Sequence, residues 1–184
     1  MDNGVDLHNY QPTAADIAKI SACDLFIYVG GESDEWVEDA LSEATNKDMI
    51  VINLLDSLGD LAKEEELVEG MQGEEENEEE YEEEEEGPEY DEHVWLSLEN
   101  AQIFVKVIGD AIEKIDSKNV DTYKNNIDEY IAKVSALDSQ YTEVVNNAAI
   151  KTVLFGDRFP FRYLVDDYGL DYFAAFSGCS AESE

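Results

Sequence analysis

The sequence predicts an α/β protein: two lobes with parallel sheets joined by a long interlobe helix, the second lobe incomplete. Three observations predict it. Two short apolar runs, "DLFIYVGG" and "MIVINLL", flank a stretch of helical period, the order of a β-α-β unit with a helical crossover. Apolar residues then keep a helical register from about 120 to 147, which is long for a small lobe. Beyond it, "KTVLFGD", "FPFRYLVDDYG" and "LDYFAAFSG" read as strand, helix and strand again.

Taken in order, "TAADIAKIS" reads as a helix with Thr13 at its N-cap and Asp16 three residues later, a variant of the capping box. "DLFIYVGG" is an apolar run closed by a glycine pair, as in a strand buried on both faces of a parallel sheet. "ESDEWVEDALSEA" places Trp36, Val37, Ala40, Leu41 and Ala44 at helical spacing, and "MIVINLL" is a second buried strand. "SLENAQIFVKVIGDAIEKI" puts Ala101, Phe104, Val105, Ile108, Ile112 and Ile115 on one face. The long stretch that follows aligns Tyr123, Ile127, Tyr130, Ile131, Val134, Leu137, Tyr141 and Val144, about 40 Å of helix if straight. The last helix begins near Pro160. The chain therefore divides into an N-terminal α/β lobe at 1–63, a glutamate-rich loop at 64–92, a helix returning to that lobe at 93–118, a linker helix at 119–149, and the start of a C-terminal α/β lobe at 150–184.

Charge narrows the choice of partner. Of the net −35, eighteen charges fall at 64–92, where there is no Lys or Arg; without them the remainder still carries −17. Such a surface repels phosphate backbones and anionic membranes, and attracts cations. Residues Glu74 to Glu86 include 11 glutamates in 13 positions, too dense in like charge to pack, so the whole of 64–92 is expected to be a disordered loop. It is either a solvating loop or a weak collector of hard cations beside a binding site. Cys23 and Cys179 lack metal or redox spacing, and Cys23 reads as a small buried apolar residue. No apolar stretch reaches the roughly 18 residues of a membrane span, and no export leader is visible in this chain.

The chain has two histidines, His8 in "DLHNYQPT" and His93 in "GPEYDEHVWLSLENA". Imidazole suits transition ions such as zinc or manganese, but isolated histidines are also ordinary surface or cap residues. Motifs for a zinc protease, a nucleophile elbow or a phosphate loop are absent.

"GVDLHNYQPTAADIAKISACDLFIYVGGESDEWVEDAL" and "DEHVWLSLENAQIFVKVIGDAI" resemble the first and second ligand regions of the cluster A-I solute-binding proteins of zinc and manganese ABC transporters. The helix and "FGDRFPFRYLVDDYGLDYFAAFSG" resemble the interlobe helix and the opening of the C-terminal lobe. In the zinc-uptake branch a His-rich acidic loop precedes the second region; here that loop holds Glu and no His. The resemblance implies that His8 and His93 are metal ligands. It places Arg158 where the family has its third histidine; Arg cannot coordinate a cation, which leaves Asp157 as the nearest substitute unless it simply pairs with Arg158. Tyr10, Pro12 and Trp95 read as packing residues that hold the histidines.

The resemblance further implies capture of Zn²⁺, with Mn²⁺ as the alternative, and delivery to an ABC transporter permease. It implies an extracytoplasmic setting, periplasmic or as a cell-surface lipoprotein. Against the family pattern the chain reads as truncated at both ends, and a lobe cut at its outer elements exposes sheet edges that invite self-association. Two rivals remain: a zinc hydrolase with Glu32 or Glu92 as base, and an acidic module that binds basic partners through its glutamate loop. No enzymatic activity is expected.

Overall fold

The computed structural model describes residues 10–66, 68, 71, 89–176 and 178. Its first unit opens with α1 (Ala14–Ala22), capped as the sequence predicts: Thr13 Oγ1 accepts from Asp16 N, and the Asp16 carboxylate accepts from Thr13 N. The side-chain bonds to Thr13 and Lys19 hold the Asp16 carboxyl well below the usual carboxylate range. β1 (Leu25–Tyr28) and β2 (Ile50–Asn53) pair in parallel, Leu25 beside Ile50 and Tyr28 beside Asn53. Between them a short 3-10 turn at Glu32–Asp34 leads into α2 (Trp36–Ser42), which supplies the predicted crossover. α3 (Leu54–Leu58) follows β2 directly, with Asn53 as its cap through the Asp56 amide.

Ile27 and Val51 are 36% and 40% exposed, so the expected burial of these strands on both faces is not met. The sheet has only two strands among the described residues, and each is an edge. Cys23 is likewise only partly buried, beside the Met49 sulfur at 3.4 Å.

α4 (Leu98–Ile115) and α5 (Val120–Asn147) pack side by side. Gly109 is what lets them close, because a Cβ there would collide with Ile127 Cδ1. The expected face of α5 holds where α4 covers it, with Tyr123, Ile127 and Ile131 partly buried and Val134 at 8% exposure. Tyr130, within that stretch, is nevertheless exposed; farther along, Leu137, Tyr141 and Val144 are exposed too, and Val145 is the buried residue instead of Val144. Length explains the change. At 1.5 Å per residue, α4 runs about 27 Å and α5 about 42 Å, so the last third of α5 outreaches its partner.

The second unit comprises β3 (Thr152–Arg158), α6 (Arg162–Tyr168) and β4 (Asp171–Phe176), with β3 and β4 parallel. Gly169, left-handed at φ 60°, ends α6, and Leu170 N donates back to Val165 O. Phe159, Val165 and Ala174 form this unit's own core. Tyr163 of α6 points the other way, into the first core beside Leu55, Leu58, Val94 and Phe104. This aromatic side chain is a buried anchor of the second unit on the first.

Candidate metal centre

The acidic insert is closed at its base. Glu64 and Tyr90 form an antiparallel bridge, Asp91 N donates to Lys63 O, and Glu65 N donates to Glu89 O. The ends of the loop expected at 64–92 are thus ordered strand pairing; most of its middle, including Glu74 to Glu86, lies outside the described residues. This pairing delivers the chain to Asp91 in a fixed register.

From Asp91 the next four side chains are buried: Asp91 3%, Glu92 6%, His93 6% and Val94 0% exposed. Three polar groups in a row withdraw from water only where each is partnered. Asp91 Oδ1 accepts from His93 N at 2.8 Å and lies 3.1 Å from His93 Nδ1. A carboxylate only accepts, so this pairing selects the tautomer with the proton on Nδ1 and the lone pair on Nε2. That is the arrangement by which a carboxylate orients an imidazole for a metal. Trp95 lies against the ring, centroids 5.6 Å apart, as the packing reading of that residue requires. On another side passes Gly178: a Cβ there would stand 3.4 Å from His93 Cε1 and 2.5 Å from Phe159 O. Only a residue without a side chain fits that crossing.

Glu92 acts as a clasp. Its carboxylate accepts from Ser33 N at 2.8 Å and reaches over Gly31, where a Cβ would collide with it. Gly31 has φ 84°, a conformation that glycine adopts without strain. Asp34 ties the same turn by accepting from Val29 N and Gly30 N. The turn that follows β1 is thereby locked to the segment that carries His93. Beside them opens a cleft of about 710 Å³ whose lining includes Glu32, Glu35, Asp56, Asp60 and Glu89. Burial, and then the neighbouring Glu89, raise the Glu32 carboxyl above its usual range.

The other predicted ligands fare differently. His8 lies outside the described residues. Asp157 is exposed near the end of β3, where the pairing with β4 shifts register, and its carboxylate accepts from the Arg158 amide at 2.8 Å. Among the described residues no three His, Cys, Asp or Glu side chains are grouped so as to hold a metal ion. Tyr10 donates to Asp16 and meets Trp36 edge to face, and so packs the segment just after His8.

Sequence reasoning overlooked two residues. Asp91 carries a signal, an acid two positions before the histidine that can fold back on it. Tyr163 carries none that is local. It is 2% exposed, and its hydroxyl donates to Asp91 O and accepts from Lys63 N, both at 3.0 Å.

Two parallel-stranded α/β units, a long helix and a buried, carboxylate-oriented histidine make up the architecture around the candidate centre. The chain belongs to the family described as zinc-uptake complex component A, periplasmic, which it matches over residues 1–184. It is 37% identical over 182 residues to the high-affinity zinc uptake system protein ZnuA of Bacillus subtilis, covering 99% of this chain and 54% of that one. It is 33% identical over 181 residues to the zinc-binding lipoprotein AdcA of Streptococcus pneumoniae, covering 98% of this chain and 34% of the other. Among solved structures it superposes on the metal-dependent lipoprotein YcdH of B. subtilis with a TM-score of 0.72 at 30% identity, over 96% of this chain and 57% of that one. The Zn(II)-bound ZnuA-like domain of S. pneumoniae AdcA matches with a TM-score of 0.68 at 28% identity, over 94% and 55% of the respective chains. The chain spans about a third to a half of the length of these two curated relatives.

Proposed function

We propose that this chain captures a zinc ion as the solute-binding component of an ABC uptake system and hands it to a membrane permease without chemical turnover. The observation that carries the reading is His93: buried, with Nδ1 on the Asp91 carboxylate, it presents Nε2 as the coordinating nitrogen. His8 is the second ligand, matched by its motif, and Asp157 an outer and weaker contributor. Zinc is favoured over manganese because these curated relatives are named for zinc. An extracytoplasmic setting follows from the lipoprotein and periplasmic descriptions of those relatives. Among the described residues no helix is long and apolar enough to cross a membrane.

Calorimetric titration with Zn²⁺ tests this. Wild type should bind one ion tightly, and His93→Ala and His8→Ala should each weaken it by about 100-fold or more, the loss of one coordinate bond. Equal affinity across the three proteins would end the proposal, and Mn²⁺ binding tighter than Zn²⁺ would reassign the ion.

A further inference from the structure

We propose that Tyr163 is a positioning residue for the ion: from the second unit it sets the backbone at Asp91, and through Asp91 the orientation of His93. This rests on the zinc reading of His93. Where two antiparallel residues form a hydrogen-bonded pair, they exchange both N–H···O bonds. Lys63 and Asp91 form only one, from Asp91 N to Lys63 O at 2.9 Å. In place of the return bond stands the Tyr163 hydroxyl, which accepts from Lys63 N at 3.0 Å and donates to Asp91 O at 3.0 Å. A side chain on α6 is therefore spliced into the ladder, and it holds the two strands apart at the residue whose carboxylate grips His93.

Burial separates this contact from ordinary packing. Tyr163 is 2% exposed and Asp91 3% exposed, so water does not compete for either bond. Other ties between α6 and the base of the insert are on the surface: Lys63 Nζ with Asp166, and Arg162 with Glu66, both involving exposed carboxylates. Removal of the hydroxyl leaves Lys63 N and Asp91 O to close on each other or to stay unpaired. Either outcome moves Asp91 and releases the imidazole from a single tautomer.

The test uses Tyr163→Phe in the full chain. In zinc-free protein, ¹⁵N imidazole spectra should show one His93 tautomer in wild type and a mixture in the variant. Zinc affinity should fall by about 10- to 100-fold, the range typical of a lost outer partner of a metal ligand. Asp166→Asn, which breaks only the surface ion pairs with Lys63 and Arg162, should leave both readouts as in wild type. Combined with Asp91→Asn, Tyr163→Phe should cost no further affinity, because both act through the same bond to His93. Wild-type tautomer and affinity in Tyr163→Phe, or losses that simply add with those of Asp91→Asn, overturn the proposal. Should Tyr163→Phe fail to fold, 3-fluorotyrosine at position 163 keeps the hydroxyl; its ¹⁹F resonance should move on zinc addition and differ in the Asp91→Asn background, and a resonance indifferent to both overturns it. If wild type binds no zinc, the receptor reading fails, while the zinc-free tautomer comparison still decides the role of Tyr163.

Discussion

At Asp91–Val94 four consecutive side chains are 6% exposed or less, and the histidine's ring is held by a carboxylate two residues away. At Asp157–Arg158 the carboxylate faces solvent where the strand pairing shifts register, and it accepts from the next amide. Both stretches carry a ligand that the sequence nominates. The difference shows what prepares a ligand: burial removes competing water, and a hydrogen-bonded partner prepays the orientation that the ion would otherwise have to impose. A free carboxylate in water has neither, and each of its rotamers must be ordered on binding.

The largest effect that can sharpen this contrast is expected at Asp91. Asp91→Asn keeps the size of the side chain but not the acceptor-only character, and zinc affinity should drop by about 10- to 100-fold by calorimetry. Affinity equal to wild type would break the comparison, since the buried pair would then prepare nothing.

A middle-sized effect is expected at Asp167 of α6, where a half-buried carboxyl is poorly compensated. Burial pushes it up to about 6, against the single opposing bond from Ser97 and with Glu99, Asp166 and Asp138 adding repulsion. One of its oxygens is buried without a hydrogen-bond partner among the described residues. The folded state therefore holds the proton more tightly than the unfolded chain does. The ionised form costs stability above pH about 6, and this cost fades as pH falls towards 4. Asp167→Asn should raise stability at pH 7.5 by about 1 kcal/mol, a figure discounted for the partial exposure of the group. Thermal melts at pH 7.5 and 4.5 check it: the gain should shrink at the lower pH, and a constant gain would mean that ionisation is not its source.

The smallest effect is expected at Asp157. Asp157→Asn should weaken zinc binding by about two- to fivefold, the scale of an exposed charge interaction. A loss as large as that of His93→Ala would move Asp157 into the coordination sphere and erase the contrast between the two stretches.

Much of the fold was legible before any coordinates. The capping box at Thr13, the β-α-β order of the first unit, the bounds of α4 and α5 to within a few residues, and the strand–helix–strand of the second unit all follow from local periodicity and turn chemistry. His93 was legible as well, because its motif is contiguous. Less was legible where a long-range contact decides. The burial of Val145 in place of Val144 depends on where α4 ends, and the half-open faces of β1 and β2 depend on how many strands flank them.

What the sequence determined by itself is thus the family and most of the secondary structure, α3 within the run read as the second strand excepted, and it nominated one imidazole as a ligand, since each rests on short contiguous motifs. What only the tertiary structure decided is how that imidazole is held: Tyr163 stands 72 positions from Asp91 and 100 from Lys63, and its hydroxyl meets both only when the second unit docks on the first. Periodicity records which face of a helix is apolar. It does not record which distant amide a buried hydroxyl will meet, because that depends on the path of the whole chain between them.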